Sequence, residues 1–232
     1  MMPAEVPQWK KWLSHLFELH VESAPSTHNP HLYVSLRRGR YQLSTAHAIY
    51  SYEDLYTNFL YAFRQIRFDR LPGEDVLLLG LGLGSVPLML EQVFRQSFRY
   101  TAVELDPNVI YLANKYTLSG LESPVTTLAA DAHAFMMQQE ERYSLICMDI
   151  FLDDVIPAAF QQTSFLQALR AALLPGGVLM YNCLYREEED KVATERFYRE
   201  YFLSVFPQGA YLDVDGNWML VSDKRALNIE KG

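Results

Sequence analysis

The chain has 232 residues, half of them hydrophobic and 21% charged, which suits a folded globular chain and is far from the make-up of a disordered or fibrous one. Its formal net charge of −8, with no basic run longer than a pair such as Lys10-Lys11 or Arg37-Arg38, repels phosphate backbones and argues against a nucleic-acid partner. The apolar stretch Val76 to Leu90 is broken by Gly80, Gly82, Gly84 and Pro87, so it is no membrane span, and Cys147 and Cys183 sit in apolar runs without metal or redox spacing. Free thiols and an N-terminal stretch lacking an apolar h-region make a cytoplasmic location the expectation.

At the start of the chain, Trp9, Trp12, Leu13, Leu16 and Phe17 recur at helical spacing and predict an amphipathic helix whose stripe faces a core or a second subunit. A polar loop is expected from Glu22 to Pro30. Leu32, Val34 and Leu36 alternate with polar residues, Arg38-Gly39 marks a turn, and Tyr41 and Leu43 resume the alternation, which reads as a β-hairpin. Ser51, with Asp54 three residues later, resembles a capping box opening a helix whose apolar face is Leu55, Tyr56, Phe59, Leu60 and Phe63. Leu71-Pro72-Gly73 then divides the chain into an N-terminal helix and hairpin module, 1–71, and a larger domain, 72–232.

From Asp75 onward strands alternate with helices. Val76–Leu79, Tyr100–Val103, Val125–Leu128, Leu145–Met148 and Val178–Tyr181 are the apolar strands; Asp106-Pro107 caps one helix, and the acidic run Glu187–Asp190 opens the longest. Tyr211–Val214 and Trp218–Ser222, joined at Asp215-Gly216 or with Asn217 as well, predict a closing β-hairpin. The order implies an α/β fold: a mostly parallel sheet covered on both faces, ended by an antiparallel hairpin.

Gly80-x-Gly82-x-Gly84 lies between the first of these strands and its helix, where glycine permits a tight turn and close approach to main-chain N–H groups. Glu104, 20 residues beyond Gly84, ends the next strand, where a carboxylate reaches the ribose hydroxyls of an adenosine-containing ligand. Position 85 is serine rather than glycine or alanine, and no second mononucleotide half follows Asp149, which disfavours a nicotinamide dinucleotide. Asp131-Ala132 follows the third strand and reads equally well as a helix N-cap. The six histidines form no paired ligand motif, so no metal is expected.

This pattern resembles the class I S-adenosylmethionine-dependent transferases, whose Rossmann-like seven-stranded sheet ends in such a hairpin; there, an acid placed like Asp131 reads the adenine amino group. The run Asp149-Ile-Phe-Leu-Asp153-Asp154-Val-Ile-Pro157, with Thr163-Ser-Phe-Leu166 after it, narrows the resemblance to the spermidine-synthase-like branch. That branch implies Asp149 as the residue that orients the acceptor and takes its proton, with Tyr56, Asp153 and Asp154 bordering the acceptor and Gly80, Gly82, Gly84, Glu104, Asp131 and Ala132 around the donor. It also implies a homodimer formed through the N-terminal module. Three positions depart from the aminopropyltransferases of the branch: no glutamine in Thr45–Ser51, Tyr56-Thr57-Asn58 in place of a Tyr-His-Glu triplet, and Leu83 in place of an acid. The departures favour methyl transfer to a small-molecule acceptor, an amine among the candidates, from S-adenosylmethionine. The alternatives are a divergent polyamine aminopropyltransferase using decarboxylated S-adenosylmethionine and a non-catalytic nucleoside-binding homologue.

Overall fold

The computed structural model describes residues 6–26, 28, 31–45, 49–152 and 155–228. Its N-terminal part is a four-stranded antiparallel sheet of Leu19–Ala24 (β1), Leu32–Arg37 (β2), Arg40–Ser44 (β3) and Ile49–Ser51 (β4), in that spatial order. The predicted hairpin is β2–β3. Arg38 and Gly39 both take positive φ, the geometry that matches the twist of a two-residue hairpin. Leu32, Val34, Leu36 and Leu43 form one buried face, packed on Leu83, Val109, Leu112 and Tyr116 of the larger sheet's layer.

Three expectations are corrected here. Part of the segment read as a loop, Glu22–Ala24, belongs to β1; Glu22 masks the alternation because its carboxylate is held by the Lys115 ammonium and the Tyr116 hydroxyl. The N-terminal helix is only Gln8–Leu13 (α1), and Trp9, Trp12, Leu16 and Phe17 are all more than 60% exposed instead of facing a core. It stops because the hairpin turn docks on Ser14, whose carbonyl accepts from Arg38 N–H and whose hydroxyl accepts from Gly39 N–H. Ser51 does not cap a helix: it ends β4 and shares a 2.7 Å hydrogen bond with the Ser85 hydroxyl, while Arg40 draws Asp54 aside. The helix begins after Tyr56, at Thr57–Arg64 (α2).

The larger sheet has seven strands: Asp75–Leu79 (β5), Arg99–Glu104 (β6), Val125–Ala129 (β7), Tyr143–Met148 (β8), Leu173–Leu184 (β9), Ala210–Asp213 (β10) and Asn217–Val221 (β11). Their order is β10-β11-β9-β8-β5-β6-β7, parallel from β9 to β7 and antiparallel at the β9–β11 and β10–β11 pairs. This is the mixed, mostly parallel Rossmann-like fold anticipated from the strand–helix alternation. Successive strand residues point to opposite faces. Val76, Leu78, Leu145 and Cys147 pack with Phe59 and Phe63 of α2, and Leu77, Leu79, Ile146 and Met148 pack with Phe165 and Leu169 on the other face.

Helices Ser85–Leu88 (α3), Pro107–Tyr116 (α4), Ala132–Gln138 (α5), Thr163–Ala171 (α6) and Glu188–Arg196 (α7) complete the layers. α3 and α7 each run on through a π-helical stretch, Met89–Val93 and Phe197–Phe202. The acidic start of α7 is a reciprocal capping box between Glu187 and Asp190. In the closing hairpin Asp215 and Gly216 both have positive φ, so the turn is the two-residue form, and Trp218 is stacked between Tyr185 and Tyr211. The sheet reverses winding direction between β5 and β8, which opens a crevice at the carboxyl ends of the strands.

Candidate active site

A cavity of about 660 Å3 occupies that crevice, within the size range of small-ligand sites. The sheet order lays its polar residues out in a row: Asp131 after β7, Glu104 at the end of β6, Gly80 after β5, Asp149 after β8, Asn182 on β9 and Asn217 on β11. Tyr56 reaches the same wall from the start of α2, and Ala132, Gly82, Pro157 and Phe160 line it too.

The glycine turn is demanded chiefly by the protein itself. Gly80 has φ +88, and a Cβ there would collide with the carbonyl of Asp149, so the strand-end turn and the Asp149 loop touch backbone to backbone. Gly82 approaches Ser51 in the same way and lines the cavity; Gly84 caps α3 in the left-handed conformation and lies off the wall, against Leu118. Gly80→Ala should therefore destabilise the fold by about 1–3 kcal/mol, the usual cost of a strained backbone site. Urea unfolding checks this through a lower midpoint at unchanged slope; an unaltered midpoint contradicts the contact.

Glu104 accepts from the N–H groups of Leu81 and Asp106, both at 3.1 Å, which fixes its carboxylate on the rim of the turn. Burial pushes its pKa up against the lowering effect of these N–H groups. A carboxylate has about four acceptor sites, so capacity remains for ligand hydroxyls. Asp131 is the N-cap of α5, accepting from Ala134 N–H at 2.7 Å, and it also lines the cavity, so the capping and ligand-facing readings coexist. Beside it His133 stacks on Phe165 and meets the edge of Phe160.

Asp149 is held by a buried amide. Its Oδ1 accepts from Asn182 Nδ2 at 2.8 Å, and the Tyr56 hydroxyl lies near enough to act on its charge. Burial pushes its pKa up to about 6, with Asn182 and Tyr56 working against the rise and the Glu104 charge adding to it. The Tyr56 hydroxyl is itself raised well above its ordinary range by burial and by the Asp149 charge. Behind Asn182 stands Asn217, whose Nδ2 donates to Asn182 Oδ1 at 2.9 Å, so two buried amides relay into the carboxylate.

Asp153 and Asp154, read as bordering the acceptor, lie outside the described residues. Asn182 and Arg186 also line the cavity and carry no motif in the sequence, and so do Asn58, met there only as a departure from the aminopropyltransferase triplet, and Asn217, met only as a turn residue. Asn182 did carry a signal, the lone polar residue in the apolar run Val178–Leu184. Among the described residues no group of three or more His, Cys, Asp or Glu is placed to hold a metal ion, and no helix is long and apolar enough to cross a membrane.

No family model matches the chain. A probable polyamine aminopropyl transferase of Bifidobacterium longum is 32% identical over 109 residues, 47% of this chain and 24% of that protein. The eEF1A lysine and N-terminal methyltransferase of Bos taurus is 30% identical over 123 residues, 48% of this chain and 18% of its own length. The chain thus spans about a quarter or less of these two relatives. Among solved structures, human methyltransferase-like protein 13 in complex with SAH superposes with TM-score 0.54 at 25% identity, over 68% of this chain and 73% of that one. A probable spermidine synthase from Corynebacterium glutamicum superposes with TM-score 0.68 at 18% identity, over 87% and 78%. The chain's relatives are transferases of two kinds, aminopropyl and methyl, as the resemblance to the spermidine-synthase-like branch implies.

Proposed function

We propose that the chain carries an S-adenosylmethionine-dependent methyltransferase that acts on a small-molecule acceptor. One observation carries the reading: Glu104, Asp149 and Tyr56 meet in a single cavity whose remaining polar wall on the Asp149 side is the amides Asn58, Asn182 and Asn217 and the Arg186 guanidinium, with no further acid among the described residues. A cationic polyamine acceptor needs acids there, and among the described residues Asp149 alone supplies one on that side. The bound donor supplies a sulfonium-linked methyl carbon, to which the acceptor's lone pair bonds while the carbon–sulfur pair returns to sulfur. The chain's part is to fix the nucleoside hydroxyls at Glu104, to hold the acceptor nitrogen at Asp149 and to take its proton there, with Asn182 fixing that carboxylate and Tyr56 on the same wall. Aminopropyl transfer from the decarboxylated donor is the second reading, favoured by the Bifidobacterium relative.

Calorimetry with S-adenosylmethionine and its decarboxylated form, followed by product mass on an amine panel, tests both. Methylated products support the first reading, and aminopropylated products overturn it. A base with a pKa of about 6 must lose its proton before it can act, so kcat/KM should rise with pH through about 6 and level off above it. A profile flat from pH 5 to 8 contradicts the role of Asp149. A homodimer formed through the N-terminal module and the lack of a nucleic-acid partner belong to the same reading, the first resting on the resemblance and the second on the charge of −8.

A further inference from the structure

One charged side chain on the cavity wall has no part in the chemistry above. Arg186 follows β9, four residues beyond Asn182, and among the described residues it is the only Lys or Arg lining the cavity. It enters no ion pair with a described acidic residue. The closing hairpin holds it in place: Tyr185 N–H donates to the Gly216 carbonyl at 2.9 Å, and Gly216, at φ +83, lies so close over the arginine stem that a Cβ there would stand 3.0 Å from Arg186 Cγ. The turn carrying Gly216 is anchored in turn to α2, through Thr57 Oγ1 donating to Asp215 at 2.9 Å. The guanidinium lines the same cavity as Tyr56 and Asp149, and its charge acts on the tyrosine hydroxyl.

Strands in a sheet lie about 4.8 Å apart. The row Asp131, Glu104, Gly80 spans β7, β6 and β5, which is the length a nucleoside occupies, and Asp149 on β8 marks where transfer takes place. Arg186 lies on the far side of that point, on the β9 flank, and is exposed where Asn182 and Asn217 are buried. A guanidinium pairs with a carboxylate through two parallel N–H bonds and repels an ammonium.

We propose, resting on the transferase reading above, that Arg186 is the specificity-determining residue for an acceptor that carries a carboxylate as well as its nucleophilic amine. The amine faces Asp149 and the carboxylate faces Arg186. This flank then holds one negative and one positive group, matching an amino acid and mismatching a diamine, whose second ammonium would lie against the arginine.

The test compares the full chain with Arg186→Glu and Arg186→Gln, both at an exposed position and both checked by thermal melting. Acceptor probes are 4-aminobutanoate and longer amino acids against diamines of equal length. Donor-site probes are S-adenosylhomocysteine, which has a carboxylate, and methylthioadenosine, which has none. The expected result is transfer to the amino acids in preference to the diamines by the unaltered chain. Arg186→Glu should lower the amino-acid rate at least tenfold and shift preference toward diamines, with S-adenosylhomocysteine affinity held within threefold. An unchanged acceptor ratio in Arg186→Glu, or no transfer to any carboxylate-bearing amine by a chain that binds S-adenosylhomocysteine, overturns the proposal. So does a tenfold loss of S-adenosylhomocysteine affinity with methylthioadenosine unaffected, since Arg186 would then serve the donor. Failure of the unaltered chain to bind either thioether is a separate outcome: it removes the transferase reading itself and this inference with it.

Discussion

Asp149→Asn should lower turnover about 10²–10⁴-fold, the range lost with a general base, while affinity for the neutral thioether product stays within a few-fold. The substitution isolates the chemistry because it spares the architecture. An asparagine has the same shape, and its amide oxygen can still accept from Asn182 Nδ2. What goes is the negative charge and the site that takes the acceptor's proton. The product is the right binding probe because a cationic donor would also lose attraction to the missing charge. Single-turnover kinetics with the true acceptor, alongside product calorimetry, gives both quantities. Undiminished turnover would make Asp149 a capping residue of its loop and nothing more.

Glu104→Ala should weaken nucleoside binding by about 1.5–3 kcal/mol, the worth of hydrogen bonds to a charged acceptor, which is roughly 10- to 150-fold in Kd. Part of that loss comes from the turn, since the alanine also strands the N–H groups of Leu81 and Asp106. Glu104→Gln separates the two contributions: the amide keeps an acceptor oxygen for the turn but offers the ribose a neutral partner. An intermediate Kd for glutamine places the effect in the ligand's hydroxyls. Equal affinity for the unaltered chain and both variants, toward donors and thioethers alike, would remove Glu104 from the site.

The sheet was legible because β5, β8 and the second half of β9 are buried on both faces and therefore read as apolar runs, while every strand from β5 to β9 is followed by a glycine, an acid or a turn. Glu104 and Asp149 stand at such ends, so their place in the crevice follows from the alternation alone. Asn182 and Asn217 were hidden for the opposite reason. They sit inside strands, and their partners, Asp149 for one and each other for both, are 33 and 35 residues away in the chain. Pairing over that distance leaves no local period. Arg186 resembles any solvated arginine until the Gly216 turn is folded over its stem. The Trp9 stripe shows the converse error: its spacing is helical, yet the docking of the β2–β3 turn on Ser14 ends the helix before Leu16 and Phe17 can join it.

The three tryptophans of the chain divide cleanly between two environments. Trp9 and Trp12 are open to solvent, whereas Trp218 is buried between Tyr185 at 4.1 Å and Tyr211 at 3.8 Å, one residue from Asn217 and across a stacked ring from the segment that carries Arg186. Intrinsic emission is therefore a sum of a quenchable and a shielded component. Iodide or acrylamide removes the first and leaves Trp218 as a built-in optical reporter on the acceptor side of the crevice, where a shift in its wavelength or lifetime registers occupancy without any label.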